Sequence, residues 1–167
     1  FEAGTTPGTE FCVFDIPYVG RLGLCICYDM WFPEVSRTLA WMGAEVILQP
    51  TLTPTSDREL ELVMVRANAL FNQTYFMSVN GIGIWGGGRS LLVDPDGRIL
   101  QEAGTNQTIL TEVLDLDRVT HTREYGTIGL AQTLKQLRDS GQHFPIYEDG
   151  NLARGSFENL GVLKFHR

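Results

Sequence analysis

The stretch Gly23-Leu-Cys-Ile-Cys-Tyr-Asp-Met-Trp-Phe-Pro-Glu34 holds the residue types best able to do covalent chemistry. Arg21 to Cys27 reads as an apolar strand, and Pro33 suits the first position of a helix, so Cys27 falls at a strand-to-helix turn. In open α/β sheets ligands bind beyond the carboxyl ends of the strands. A thiol placed there becomes a nucleophile once a base removes its proton. On residue type alone a cysteine at the end of a buried strand reads more readily as an inert core residue, since free cysteines are among the most buried side chains.

Other constellations compete with this reading. Cys25 and Cys27 stand two apart on the expected strand, a Cys-x-Cys pattern open to a metal or redox site. Such a site needs about four ligands, and His121, His143 and His166 lie far away in the C-terminal third without ligand spacing. Cys12 and Cys25 are therefore expected in the core, and no metal is expected. Asp29 and Glu34 flank the thiol, but a like charge disfavours a thiolate, so turn and helix-start hydrogen bonding suit them better than base catalysis. The glycine-rich run from Gly81 to Gly88 lacks the Lys-Ser/Thr ending of a phosphate loop and reads as a flexible loop near the site.

The elements that must position Cys27 follow from periodicity. Strands are expected at Glu10–Asp15, at Arg21–Cys27 (fully buried), at Ala44–Leu48 and at Thr74–Val79. A helix should run from Pro33 to a stop at Gly43. A longer one, capped by Asp57, should run from Arg58 to about Asn72 with Leu62, Val63, Ala67 and Leu70 as its apolar stripe. Ser90–Val93, the turn Asp94-Pro95-Asp96-Gly97 and Arg98–Gln101 make a hairpin. Thr108–Leu116 alternates as one more strand, Asp117 starts a short helix, Leu130, Leu134 and Leu137 suggest another, and Phe144–Arg167 is loop-like. Strands alternating with helices predict an α/β layered fold.

Composition sets the class. The 167 residues are 43% hydrophobic and 20% charged, as in a folded globular domain. A net charge of −7 with scattered cations argues against nucleic acid as a partner. No apolar run approaches the roughly 18 residues of a membrane span and no leader opens the chain, so a cytoplasmic protein with reduced thiols is expected. The opening at Phe1 in a Gly/Thr/Pro loop suggests a piece that lacks its N-terminal portion.

The motif CYDMWFPE resembles the nucleophile motif of the nitrilase superfamily, the carbon-nitrogen hydrolases, in its amidase-like form. PGTEFCVFD before it, GAEVILQPT and NQTYFMSVN after it, and the hairpin RSLLVDPDGRIL extend the resemblance to about residue 123, with 124–167 as a C-terminal extension. Asn68 and Phe71 depart from the Arg and Glu that many members carry there. The resemblance implies an αββα sandwich, here without its N-terminal part, assembled as a homo-oligomer, acting on a small-molecule amide with no cofactor. It further implies a Glu-Lys-Cys set of which this chain holds only Cys27. The backbone N–H of Tyr28 would be an oxyanion donor, of a kind whose loss typically costs roughly 10²- to 10³-fold in rate. Glu2 stands near the place of a second glutamate that some members carry shortly before Pro-Gly, one residue off its spacing to Pro7, and Met30 and Trp31, just past the nucleophile, are expected to meet the substrate and favour uncharged amides. Tyr28-Asp29 in place of Trp-Glu favours amides over nitriles. A non-catalytic scaffold is the remaining alternative, and the chain alone is expected to be inactive.

Overall fold

The computed structural model describes residue 6, residues 8–148 and residues 160–161. Glu2 and most of the tail beyond residue 148 lie outside these. Along the chain come β1 (Cys12–Ile16), β2 (Gly20–Leu24), a 3-10 turn (Cys27–Trp31), α1 (Pro33–Trp41), β3 (Val46–Thr51), α2 (Asp57–Asn72), β4 (Tyr75–Asn80), β5 (Leu91–Val93), β6 (Ile99–Glu102), α3 (Asp117–Tyr125) and α4 (Thr133–Asp139). The strands form one sheet in sequence order. β2, β3 and β4 are parallel, while β1, β5 and β6 each run antiparallel to the preceding or following strand.

Parallel neighbours need a crossover, and here both are helices: β2–α1–β3 and β3–α2–β4. Two crossovers stepping the same way with the usual right hand place both helices on one face of the sheet. The core confirms it, since Leu39 of α1 and Leu62, Val65 and Ala69 of α2 pack on Ile47, Phe76, Leu91 and Val93. Strand alternation then assigns Ile47, Gln49 and Thr51, and Phe76, Ser78 and Asn80, to the helix side. Val46, Leu48, Tyr75 and Met77 face the other side, where Leu114, Leu116 and Val119 partly cover them. One helical layer on one sheet is half of an αββα sandwich.

Local signals place most elements where expected. Pro33 opens α1, Gly43 follows it with φ 97°, and α2 ends at Gln73 in the left-handed region with φ 49°. The Asp94 carboxylate nucleates the β5–β6 turn by accepting from the N–H groups of Asp96 and Arg98 at 2.9 Å, and Arg118 pairs with both Asp94 and Asp96 at 2.7 Å. The chain beyond residue 123 is tied back to α2. Gln73 Nε2 donates to the carbonyls of Thr122 (2.9 Å) and Ala131 (3.0 Å).

Four expectations are corrected. β2 stops at Leu24 and is only partly buried, because its neighbour β1 is a mostly exposed edge. Cys12 sits on that edge and is exposed rather than part of the core. Thr108–Leu116 is not a strand: Gln101 reaches the Thr111 carbonyl with a side-chain amide at 2.6 Å, and Leu114 and Leu116 drop onto the sheet face instead of joining a ladder. On α2, Val63 is 67% exposed. The buried stripe is Arg58, Glu61, Leu62, Val65, Asn68, Ala69 and Asn72, which is helical spacing carried by polar as well as apolar residues.

Candidate active site

After Leu24 the chain leaves the sheet, with Cys25 still held by its N–H to the Leu48 carbonyl at 3.0 Å. Cys27 then takes a left-handed conformation, φ 50°, which is strained for a residue with a Cβ. Such strain persists only where surrounding contacts over-determine it. Here they are plentiful. Asp29 turns its carboxylate back to accept from the Ile26 N–H at 2.9 Å, and its own N–H donates to the Ile26 carbonyl at 3.0 Å, which fastens the 3-10 turn. Asp29 thus does the turn bonding expected of it, and Glu34 lies exposed in the first turn of α1.

The parity of β3 and β4 delivers polar side chains to the same place. Gln49 Nε2 donates to the Cys27 carbonyl at 3.0 Å, and Thr51 Oγ1 lies 3.4 Å from Cys27 Sγ. Thr51 meets Thr53 Oγ1 at 3.0 Å, and Thr53 donates to Glu61 Oε1 at 2.9 Å. Arg58 Nη1 donates to Glu61 Oε2 at 2.9 Å and to Ser78 Oγ at 3.0 Å, and Ser78 donates to Gln49 Oε1 at 2.5 Å. The loop therefore closes: it leaves Cys27 at the sulfur and returns at the carbonyl. The Arg58 and Glu61 side chains are each 4% exposed, so the ring is walled from solvent.

None of Gln49, Thr51, Thr53, Arg58, Glu61 or Ser78 is marked as a site residue by the sequence, although Gln49, Thr51 and Ser78 lie in segments that carry the resemblance. The available signal was Arg58 and Glu61 at i, i+3 in line with Leu62 and Val65. That spacing buries an ion pair on the core face of a helix.

The other expected site residues divide. Tyr28 occupies the first turn of the 3-10 helix, where N–H groups lack intrahelical acceptors. Its exposed ring stacks on Trp31 (centroids 5.8 Å apart) and meets Phe32 edge-on at 5.5 Å. Trp31 is half-buried in this aromatic cluster. Met30 is a correction: it is 1% exposed and packs into the core, because the 3-10 turn rotates it inward, and it cannot face a substrate. Asn68, the departure on α2, donates to the Met30 carbonyl at 3.4 Å and so anchors the turn.

The glycine-rich segment is fastened at its base rather than loose. Gly87 donates to the Thr53 carbonyl at 2.9 Å, Gly88 to Gly81 at 2.9 Å, and Asn80 Nδ2 to the carbonyls of Thr53 and Gly88. Gly86 is needed there, since a Cβ would lie 2.1 Å from the Gly81 oxygen.

The three thiols differ in environment. Burial, followed by the nearby Asp29 charge, pushes Cys25 up to about 12 from the ordinary 9.0. Peptide mapping after iodoacetamide at pH 8 should show Cys12 and Cys27 labelled and Cys25 untouched until the protein is unfolded. Cys25 carries a sign as well. Its thiol binds its proton more tightly folded than unfolded, so its contribution is fully present below about pH 9 and is lost as pH rises toward about 12. Denaturant midpoints of parent and Cys25→Ala should converge across that window.

Among the described residues no helix is long and apolar enough to cross a membrane. A family model described as carbon-nitrogen hydrolase matches residues 1–124. The mouse omega-amidase NIT2 is 36% identical over 129 residues, covering 71% of this chain and 45% of that protein. Among solved structures, Nit3 of Saccharomyces cerevisiae, a member of branch 10 of the nitrilase superfamily, superposes with a TM-score of 0.66 at 31% identity, over 71% of this chain and 46% of that one. A mutant of the amidase from Nesterenkonia sp. AN1, which shows the Michael addition of acrylamide at its active site cysteine, superposes with a TM-score of 0.61 at 28% identity, over 71% and 48%. The chain thus spans about half the length of the relatives it matches. With sheet order, helix placement and sequence in agreement, the chain belongs to the carbon-nitrogen hydrolase family.

Proposed function

We propose that this chain supplies the nucleophile of an enzyme that hydrolyses the carbon-nitrogen bond of small, uncharged amides. The observation that carries the reading is Cys27 itself: a left-handed residue at the mouth of the sheet, pinned at its carbonyl by Gln49 and met at its sulfur by Thr51. In this reading the Cys27 sulfur attacks the amide carbonyl and the oxyanion receives the Tyr28 N–H. Collapse expels ammonia or an amine and leaves an acyl thioester, which water then hydrolyses. The general base and the lysine that the family implies would come from outside residues 1–167, so the chain alone should release no ammonia. Trapping an acyl group on the Cys27 peptide during turnover by the intact protein tests the reading. Amide hydrolysis with no Cys27 adduct under rapid quench would end it.

The side chains beside Cys27 support an uncharged substrate. Arg58, the cation of the buried ring, directs its Nη donors to Glu61, Ser78 and the Arg89 carbonyl, and its Nε is buried. Tyr28 and Trp31 offer rings and at most one polar hydrogen each. A carboxylate buried against them without a partner would be disfavoured by several kcal/mol. Neutral amides should therefore exceed ω-carboxylate analogues of similar size by about 10²-fold or more in kcat/KM. The acrylamide adduct on the relative's cysteine supports a neutral amide. Paired kinetics on the two substrates decide it, and equal turnover of the acid would refute it.

A further inference from the structure

Two hydroxyls and a carboxylate run in line from the Cys27 sulfur: Thr51 at 3.4 Å, Thr53 3.0 Å beyond it, and Glu61 2.9 Å beyond that. The protons along this line can be counted. A hydroxyl has one, and an ionised carboxylate only accepts. Glu61 is held as a carboxylate partner by Arg58 at 2.9 Å, so the Thr53 proton is committed to Glu61 and Thr53 can only accept from Thr51. Thr51 is left with a single proton and two seats for it, the Thr53 oxygen and the Cys27 sulfur.

Which seat is filled depends on the sulfur. With the thiol protonated, S–H donates to Thr51, Thr51 to Thr53 and Thr53 to Glu61, so each link holds one hydrogen. With the sulfur negative, the thiol hydrogen is gone and the sulfur is a charged acceptor, which binds a donor more strongly than a neutral hydroxyl does. We propose that Thr51 is a catalytic residue of this site, a two-position donor that turns from Thr53 to the Cys27 sulfur whenever negative charge develops there. Thr53, Glu61 and Arg58 are positioning residues that hold the alternative seat open. This rests on Cys27 being the nucleophile.

Charge reaches the sulfur twice in the cycle. It appears first when the base removes the thiol proton. It returns when water has added to the thioester carbonyl and the tetrahedral adduct collapses, as the C–S bond breaks with its electron pair going to sulfur. In both steps the Thr51 proton stays on its own oxygen and only the hydrogen bond is redirected. The proton lost by the water passes to the base and then to the sulfur, which restores the thiol. Thr51 then swings back to Thr53.

The test uses the intact protein with Thr51→Val, which keeps the shape and removes the hydroxyl, and Thr51→Ser, which keeps the hydroxyl. Two quantities are read: the rate of Cys27 alkylation by iodoacetamide at fixed pH, followed by peptide mass spectrometry, and kcat and KM on a neutral amide. Thr51→Val should slow alkylation and kcat by about tenfold with KM nearly constant, and Thr51→Ser should recover most of both. Parent rates in Thr51→Val, or a Thr51→Ser variant as slow as Thr51→Val, would overturn the proposal. Should Thr51→Val fail to fold, Thr51→Ala removes the same hydroxyl. The same loss of about tenfold in alkylation and kcat is then expected, and parent rates in it would refute the two-seat arrangement. Cys27→Ala separates the two readings. Turnover that survives it removes the nucleophile assignment, whereas a dead Cys27→Ala beside an indifferent Thr51→Val removes the donor alone.

Discussion

In the intact protein, Cys27→Ala is expected to lower kcat/KM on a responsive amide by more than about 10⁴-fold, the scale of losing a covalent nucleophile. The same change at Cys25 or Cys12 should leave turnover within a small factor. Position explains the contrast. Cys25 points into the core among Leu39, Ile47 and Phe76 with its proton firmly held, and Cys12 lies exposed on the outer strand β1. Truncating Cys25 therefore reads out as lost stability, by the ordinary cost of shaving a buried side chain. Truncating Cys12 should do little to turnover. Initial rates and denaturant midpoints on the three variants provide the check, and residual kcat/KM above about a thousandth of the parent in the Cys27 variant would contradict the assignment.

The second large effect concerns Arg58 and Glu61. Both side chains are 4% exposed, 2.9 Å apart, and locked to Ser78, Thr53 and the Arg89 carbonyl. Removing one partner strands the other charge away from water, which typically costs about 3–5 kcal/mol. Glu61→Ala or Arg58→Ala should each lose that much in equilibrium unfolding. The double change Arg58→Met with Glu61→Leu should lose markedly less than the sum, because no orphaned charge remains. Additive losses would show that the pair contributes only packing. The double variant is also informative about the site, since it frees Ser78 and Thr53 from the ring. It should fold and yet position Cys27 less well.

How much of this was legible beforehand can be traced residue by residue. The Asp94-Pro95-Asp96-Gly97 turn, the Pro33 helix start and the strand-helix alternation are local signals, and each holds because the side chain acts on its own backbone. The turn that carries Cys27 was legible through its motif. The ring behind it was not, because Gln49, Thr51, Thr53 and Ser78 become neighbours only through the β3–β4 register, which pairs Gln49 with Ser78. The apolar stripe that periodicity predicts on α2 includes Val63 and leaves out Arg58 and Glu61, because charged side chains ordinarily face water. Thr108–Leu116 failed for the converse reason. Its alternation is real, but it packs leucines onto a sheet face without any ladder, and periodicity cannot tell the two apart.

The left-handed backbone of Cys27 implies a conflict between endurance and activity at one position. A β-carbon there is held against its preference, by roughly 1–2 kcal/mol, to aim a sulfur at the site. Glycine is indifferent to that conformation. Of two variants that both lack the sulfur, Cys27→Gly should therefore be more stable than Cys27→Ala by about 1 kcal/mol in equilibrium denaturant unfolding. Selection for stability alone would favour glycine at position 27, so a cysteine held there against that preference supports the proposed nucleophile.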